Sequence, residues 1–234
     1  IAEDDRRSIY LEVRRLKRAI AFANPLLDDG IVPGQHTWDR TRNVLDLQLE
    51  LPLWAKFTPI VGFRWNRYEG PGQTTYSVGN DEFRLASDLE QTESEFYVGF
   101  NFQTKAMHGT LIQGWRNFDG TDRQQLAAGE GVGNNPGDTL GQPVELDDFE
   151  RNNSTSAETP VTTFHMTARA SDQVRLVASY VYADAEGDAT LTESLSGSLV
   201  SFQLARFFQG LDQTIDSRTE SPFSRGELRA EFDI

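Results

Sequence analysis

Acidic and basic side chains recur at every second residue in several stretches of this 234-residue chain. Asp46 and Glu50 alternate with leucines, and Arg64 lies between Phe63 and Trp65. Alternate residues of a β-strand point to opposite faces, so the charged groups would share one face and the apolar groups the other. The candidates for this charged face are Asp46, Glu50, Arg64, Glu95, Arg116, His165, Arg169, Arg175, Arg229 and Glu231. Such a face either pairs its charges internally or lines a water-filled passage and sets its ion selectivity.

The remaining chemistry-bearing residues form no catalytic motif. His36, His108 and His165 are scattered, and the spacing places no serine or carboxylate beside them. The chain contains no cysteine, which excludes disulfides and thiolate metal sites. We therefore predict that the chain is not an enzyme and carries no cofactor.

Two further stretches are candidates for binding. An acidic cluster could hold Ca²⁺ or bridge to lipopolysaccharide through it, but it lacks the spacing of an EF-hand, so a solvated loop is the favoured interpretation. Its members are Glu145, Asp147, Asp148 and Glu150. The apolar stretch from Leu199 to Phe208 would fold inward as a constriction, pack on neighbouring loops or contact a partner.

Alternating strands and very short turns position these residues. Leucines occupy every second position from Leu45 to Leu53, the chain turns at residues 54–57, and a second alternating strand returns to Glu69. Two similar hairpins turn at residues 104–106 and 171–173. Long polar segments, predicted as loops, separate them at residues 70–93, 119–159 and 184–221. Residues 1–42 are predicted to hold a first strand or a helix, followed by a loop, and residues 43–234 to hold the remaining strands.

Composition limits the class of protein further. The formal net charge of −14 and the isoelectric point near 4.6 argue against nucleic-acid binding, which requires a basic surface. No run of apolar residues is long enough for a membrane-spanning helix. The chain begins with Ile1 rather than methionine, so we expect a processed chain or a portion of a longer one.

Two architectures fit these strands. In a soluble antiparallel sheet the leucine face would cover a core. In a transmembrane barrel the same face would contact lipid, with short turns at one end, long loops at the other and aromatic residues at both interfaces. Aromatics do cluster at the strand ends: Trp54, Phe57 and Phe102 beside the turns, and Trp65, Tyr68, Trp115, Phe118, Tyr180 and Tyr182 beside the long segments. The segregated loop lengths favour the barrel, with about eight strands or as a segment of a larger barrel.

From Asn43 to Ile234 the chain resembles bacterial outer-membrane β-barrels of the porin kind. Residues 95–103 and 112–119 are also similar to the large barrels that sheathe multihaem cytochromes. The resemblance implies the bacterial outer membrane, contact with lipid and lipopolysaccharide, and a channel for small polar solutes or ions. Its alternative is a structural barrel that sheathes or anchors a protein partner, such as a cytochrome, in the lumen or at the periplasmic end. A soluble β-rich binding domain is the third hypothesis.

Overall fold

The computed structural model describes residues 8–22, 36–51, 54, 56–78, 81–133, 143–201 and 206–232. These residues form one antiparallel sheet whose strands follow each other in chain order, without a crossover. The strands are β1 (Ser8–Phe22), β2 (His36–Glu50), β3 (Phe57–Val78), β4 (Asp81–Gln103), β5 (Met107–Leu126), β6 (Glu145–Ser171), β7 (Val174–Ser201) and β8 (Arg206–Phe232). The predicted all-β, antiparallel, up-and-down architecture is confirmed.

The first and last strands do not pair with each other among the described residues. The β1 strand pairs with β2, from Ser8 opposite Glu50 to Phe22 opposite His36, and β8 pairs with β7. The expectation of a barrel closed by about eight strands is therefore wrong for the described part of the chain. Closure with so few strands requires a tightly curved sheet around an interior that side chains just fill. Here β3 and β7 come into contact, yet the sheet stays open.

The segments predicted as long loops are largely strand. The β3 strand continues to Val78 and β4 begins at Asp81, so most of residues 70–93 lie in the sheet. In the same way β5, β6, β7 and β8 cover most of residues 119–159 and 184–221. The loop prediction was wrong because it relied on apolar alternation, whereas the ladder bonds join backbone groups and tolerate polar residues on both faces. In the N-terminal segment, β1 is a strand rather than a helix, and β2 begins at His36, ahead of the predicted start at Asn43.

Two of the three predicted tight turns are confirmed and define one end of the sheet, here called the turn end; the third, at residues 54–57, lies partly outside the described residues. Residues 104–106 join β4 to β5, and residues 172–173 join β6 to β7. The first of these turns is closed by Thr104, whose backbone N–H donates to the carbonyl of Met107 at 2.7 Å. Each long strand runs from this end to the opposite one, the far end.

The pairing register between neighbouring strands defines the two faces of the sheet. Asp46, Arg64, Glu95 and Arg116 lie opposite one another on β2, β3, β4 and β5, so they share one face, here called the inner face. The opposite side is the outer face. Since neighbouring residues of a strand alternate between faces, the assignments along each regularly paired stretch follow from this row.

The buried apolar core lies at the far end, with most of its members on the inner face. Its members are Phe83, Leu85, Val144, Leu146, Phe149, Leu195, Leu199 and Val200. They come from β4, from β6 and the residue before it, and from β7, and the Tyr76 ring of β3 lies 4.8 Å from that of Phe149. The two ends of the apolar stretch singled out in the sequence pack inward, since Leu199 and Val200 are buried here and Phe208 packs against the core. Residues 202–205 of that stretch lie outside the described residues.

Candidate functional site

Exposed apolar side chains form a continuous band on the outer face beside the turn end. Val61 lies opposite Leu49 on one neighbouring strand and Val98 on the other, and Phe96 lies opposite Trp115. The relative exposures of six band members, Phe57, Phe96, Trp115, Tyr180, Leu228 and Phe232, range from 43% to 77%. Soluble proteins rarely expose a contiguous apolar surface of this kind, so the band indicates contact with lipid or with another apolar surface.

The band is about nine residues long on each strand and is edged by aromatic residues. Within β3 it runs from Phe57 to Trp65, and within β7 from Val174 to Tyr182. That is about nine residues, the length with which a tilted strand crosses the hydrocarbon layer. Tyr68 and Phe118, predicted to belong to the aromatic edge, lie on the inner face instead, because each is an even number of residues from Arg64 or Arg116.

Beyond the band the two faces exchange character along the same strands. In β7 the outer positions after Tyr182 are Asp184, Glu186 and Asp188, whereas Leu195 is buried on the inner face. In β4 the inner face carries Glu95 within the band and Phe83 within the far-end core. The sheet is thus apolar outside and mostly polar inside near the turn end, and polar outside and apolar inside at the far end. We call this change the polarity inversion.

All ten predicted charged positions lie on the inner face, and four of them form a row of ion pairs. The Arg64 guanidinium lies 3.4 Å from Asp46 and 3.4 Å from Glu95, and Arg116 lies 3.4 Å from the same oxygen of Glu95. A fifth group, Glu93, lies 3.3 Å from Arg116. Since Arg64 and Arg116 are about half exposed, each pair alone contributes little to stability.

The other predicted positions are only partly brought together. Glu231 accepts a hydrogen bond from Arg175 at 2.6 Å and lies 2.8 Å from Arg229. Glu50 accepts a hydrogen bond from Gln48. Arg169 and His165 make no ion pair with another described residue.

The structure adds Tyr97, which the sequence reading did not identify as important. Its ring lies over Gly62 on the inner face, and its hydroxyl donates a hydrogen bond to Gln48 at 2.9 Å. The Arg64 guanidinium lies 4.8 Å from the ring centroid, a cation–π contact. No sequence signal predicts this arrangement. Gly62 and Tyr97 are far apart in the chain, and only the pairing register of β3 and β4 shows that they lie opposite each other.

Replacing Gly62 by valine should displace Tyr97. A Cβ at this position would overlap the tyrosine ring, so we expect a loss of about 1–3 kcal/mol in unfolding free energy. The control is Gly226→Val, whose Cβ would make an ordinary 3.7 Å contact with Tyr180. Denaturant unfolding monitored by tryptophan fluorescence would measure both variants. Equal stability of the two would contradict the packing of Tyr97 on Gly62.

A second polar group lies beneath the far-end core. Arg151 donates a hydrogen bond to Glu193 at 2.5 Å, and its guanidinium lies 5.3 Å from the Phe149 ring centroid. Gln213 donates to the other oxygen of Glu193 at 3.1 Å. Burial raises the pKa of the Tyr76 hydroxyl, and the nearby carboxylate of Glu193 raises it further, so this phenol stays protonated well above neutral pH. These contacts join β3, β6, β7 and β8 beyond the band.

The predicted acidic cluster does not converge on a metal site. All four carboxylates are exposed, and the sequence between them supplies Leu146 and Phe149 to the core. Within the described residues, no group of three or more histidine or carboxylate side chains is placed to hold a metal ion. Among those residues there is also no helix with the length and apolarity to cross a membrane.

Comparison with known proteins gives no relative from which a role could be transferred. No family model matches the sequence, and no curated protein matches it.

Proposed function

We propose that this chain forms part of the wall of a transmembrane β-barrel in the bacterial outer membrane. Its inner face would line a passage for small polar solutes or ions. The observation that carries the proposal is the polarity inversion. A sheet in a soluble protein that covers one hydrophobic core keeps its apolar residues on one face, whereas a strand that passes from the bilayer into water exchanges the polarity of its faces at the boundary.

The aromatic edges of the band indicate how the wall would sit in the membrane. The band would lie in the hydrocarbon layer, with Trp65, Trp115 and Tyr182 at one interface and Phe57, Phe102 and Phe232 at the other. Short turns of outer-membrane barrels lie on the periplasmic side, so the far end would project outward. The outer face of the band would contact lipid, and the acidic outer positions beyond it would face lipopolysaccharide and water.

Because the sheet is open, further strands would have to complete the wall. Unpaired backbone groups at the edges of β1 and β8 would cost several kcal/mol each in hydrocarbon. Pairing of these edges with additional strands removes that cost. The proposal is therefore a segment of a larger barrel rather than a closed barrel of these strands alone.

Conductance through the purified full-length protein in a planar bilayer tests the channel. Discrete current steps are expected, and Arg64→Glu should raise the K⁺ to Cl⁻ permeability ratio about three- to tenfold. The reason is that the change removes one positive charge and adds one negative charge on the inner face, within a few ångströms of a passing ion. Reversal potentials under a KCl gradient would measure the ratio.

The control is Arg123→Glu, which makes the same charge change at an exposed outer position of β5 beyond the band. We expect it to leave the permeability ratio unchanged. An equal shift in both variants would mean that the inner face does not line the passage. A folded, detergent-soluble protein that never conducts would contradict the channel.

A second candidate function, a sheath around a protein partner, is favoured by a different observation. The inner face of the band carries half-buried apolar residues in its middle, namely Ile112, Val161, Val177 and Val181. A water-filled passage gains nothing from these side chains, whereas a partner such as a cytochrome would cover them. Co-purification of a stoichiometric partner with a non-conducting barrel would favour the sheath over the channel.

A further inference from the structure

Three arginines crowd the inner face beside the turn end. Arg169 of β6 lies directly opposite Arg175 of β7, and Arg175 lies opposite Glu231 of β8. Arg229 is two residues from Glu231 on the same strand and therefore shares this face. The three arginines and Glu231 thus share one face on three neighbouring strands.

That carboxylate is already engaged by two of the three arginines. Arg175 donates to Glu231 at 2.6 Å, and Arg229 lies 2.8 Å from its other oxygen. Arg169 makes no ion pair with a described residue, and the turn carboxylate Asp172 is not within ion-pairing distance of it. Like charges directly opposite each other in an antiparallel pair are destabilising, and among the described residues no carboxylate pairs with Arg169 to offset its repulsion from Arg175.

An irregularity in the β6–β7 pairing lies beside the arginines. The β6–β7 register shifts between Arg169 and Ser171, which marks a bulge immediately beside Arg169. Bulges redirect the side chains next to them and are frequent beside binding sites. All three arginines are exposed, Arg175 by 61% and Arg229 by 60%, so a solute on this face can reach them.

We infer that Arg169 and Arg175, with Arg229 beside them, bind an oxyanion on the inner face at the turn-end mouth. The ligand class is the phosphate or carboxylate group of a small solute. The planar guanidinium fork binds such groups through two parallel hydrogen bonds, and an anion between the opposed arginines replaces repulsion with charge-assisted contacts. The inference rests on the proposed function insofar as the solute reaches this face through the passage.

Binding of inorganic phosphate to the detergent-folded full-length protein tests the site without relying on conductance. Calorimetric titration should show that Arg169→Gln weakens binding about tenfold, since charged hydrogen bonds contribute at least that factor to a binding constant. Arg123→Gln, an exposed arginine on the outer face, is the matched control and should bind like the unaltered protein. Arg169→Lys keeps the charge without the fork and should give an intermediate affinity.

The outcomes separate the site from the channel. Phosphate affinity that is equal in the unaltered protein and in Arg169→Gln overturns the site, as does an equal loss in Arg123→Gln. A conducting protein that does not bind phosphate overturns the site alone, whereas a silent protein with Arg169-dependent binding overturns the channel and retains the site. A different outcome also overturns the phosphate site: the unaltered protein binds no phosphate but binds an acidic protein, and Arg169→Gln releases that protein. That outcome would favour the sheath. Thermal unfolding by circular dichroism confirms that each variant is folded.

Discussion

Replacing Val61 by arginine should block stable insertion of the sheet into a bilayer. Val61 lies in the middle of the exposed band, between Leu49 and Val98 on the neighbouring strands. A charge at mid-membrane on the lipid face of a barrel costs roughly 2–4 kcal/mol. Equilibrium unfolding of the full-length protein in lipid vesicles would measure the difference in unfolding free energy.

The control, Gln73→Arg, lies on the same strand and the same face but beyond the aromatic edge. We expect its unfolding free energy to change by less than about 0.5 kcal/mol, as for ordinary surface substitutions. Equal losses in the two variants would contradict the placement of the membrane boundary. A Val61→Arg protein that folds and stays in solution without detergent would contradict the membrane hypothesis itself and favour a soluble β-rich domain.

Truncation of Phe149 to alanine should destabilise the far end without disturbing the band. Phe149 is almost fully buried and contacts both the Tyr76 ring and the Arg151 guanidinium. Removal of a buried phenyl ring costs about 3–5 kcal/mol. Limited proteolysis of the folded protein should then cut the far ends of β6 and β7 faster, while the strands within the bilayer remain protected.

Phe223→Ala is the matched control for this loss. Phe223 is also on the inner face, but it is more than half exposed and lies outside the core. Its truncation should leave the proteolysis pattern unchanged. Faster cleavage in both variants, or in neither, would mean that the far-end core does not hold this part of the sheet together.

Local alternation was sufficient to predict the hairpins and the faces of the sheet. Leu49 and Val61 were assigned to one face, and Arg64 and Glu95 to the other, because a period of two leaves no other arrangement once the residues lie in strands. The tight turns were visible as short interruptions of that period. Opposite charges on neighbouring strands could therefore be expected to meet, as Arg64 and Glu95 do.

The far end could not be predicted in the same way, because its stabilising contacts join distant parts of the chain. Phe83, Phe149 and Leu195 each appear as an isolated apolar residue in a polar segment. They become a core only when β4, β6 and β7 lie in register. Backbone pairing in these segments leaves little trace in residue type, so they were interpreted as loops.

The absence of pairing between the first and last described strands could not be predicted from strand patterns either. Alternation predicts that a strand exists and which way its side chains point. It does not show whether the first strand meets the last, since that depends on curvature summed over every pair of neighbours.

The chain-order topology also has a consequence for how the protein reaches its folded state. Every ladder joins strands that are consecutive in sequence, so each hairpin can pair outward from its own turn and the entropy lost at each step is small. The far-end core is the exception, because Phe83 and Leu195 must meet across a long intervening stretch of chain. Hairpins can thus form one after another, in the order in which the chain is made, while the core that joins them is completed only when the last of its strands has arrived.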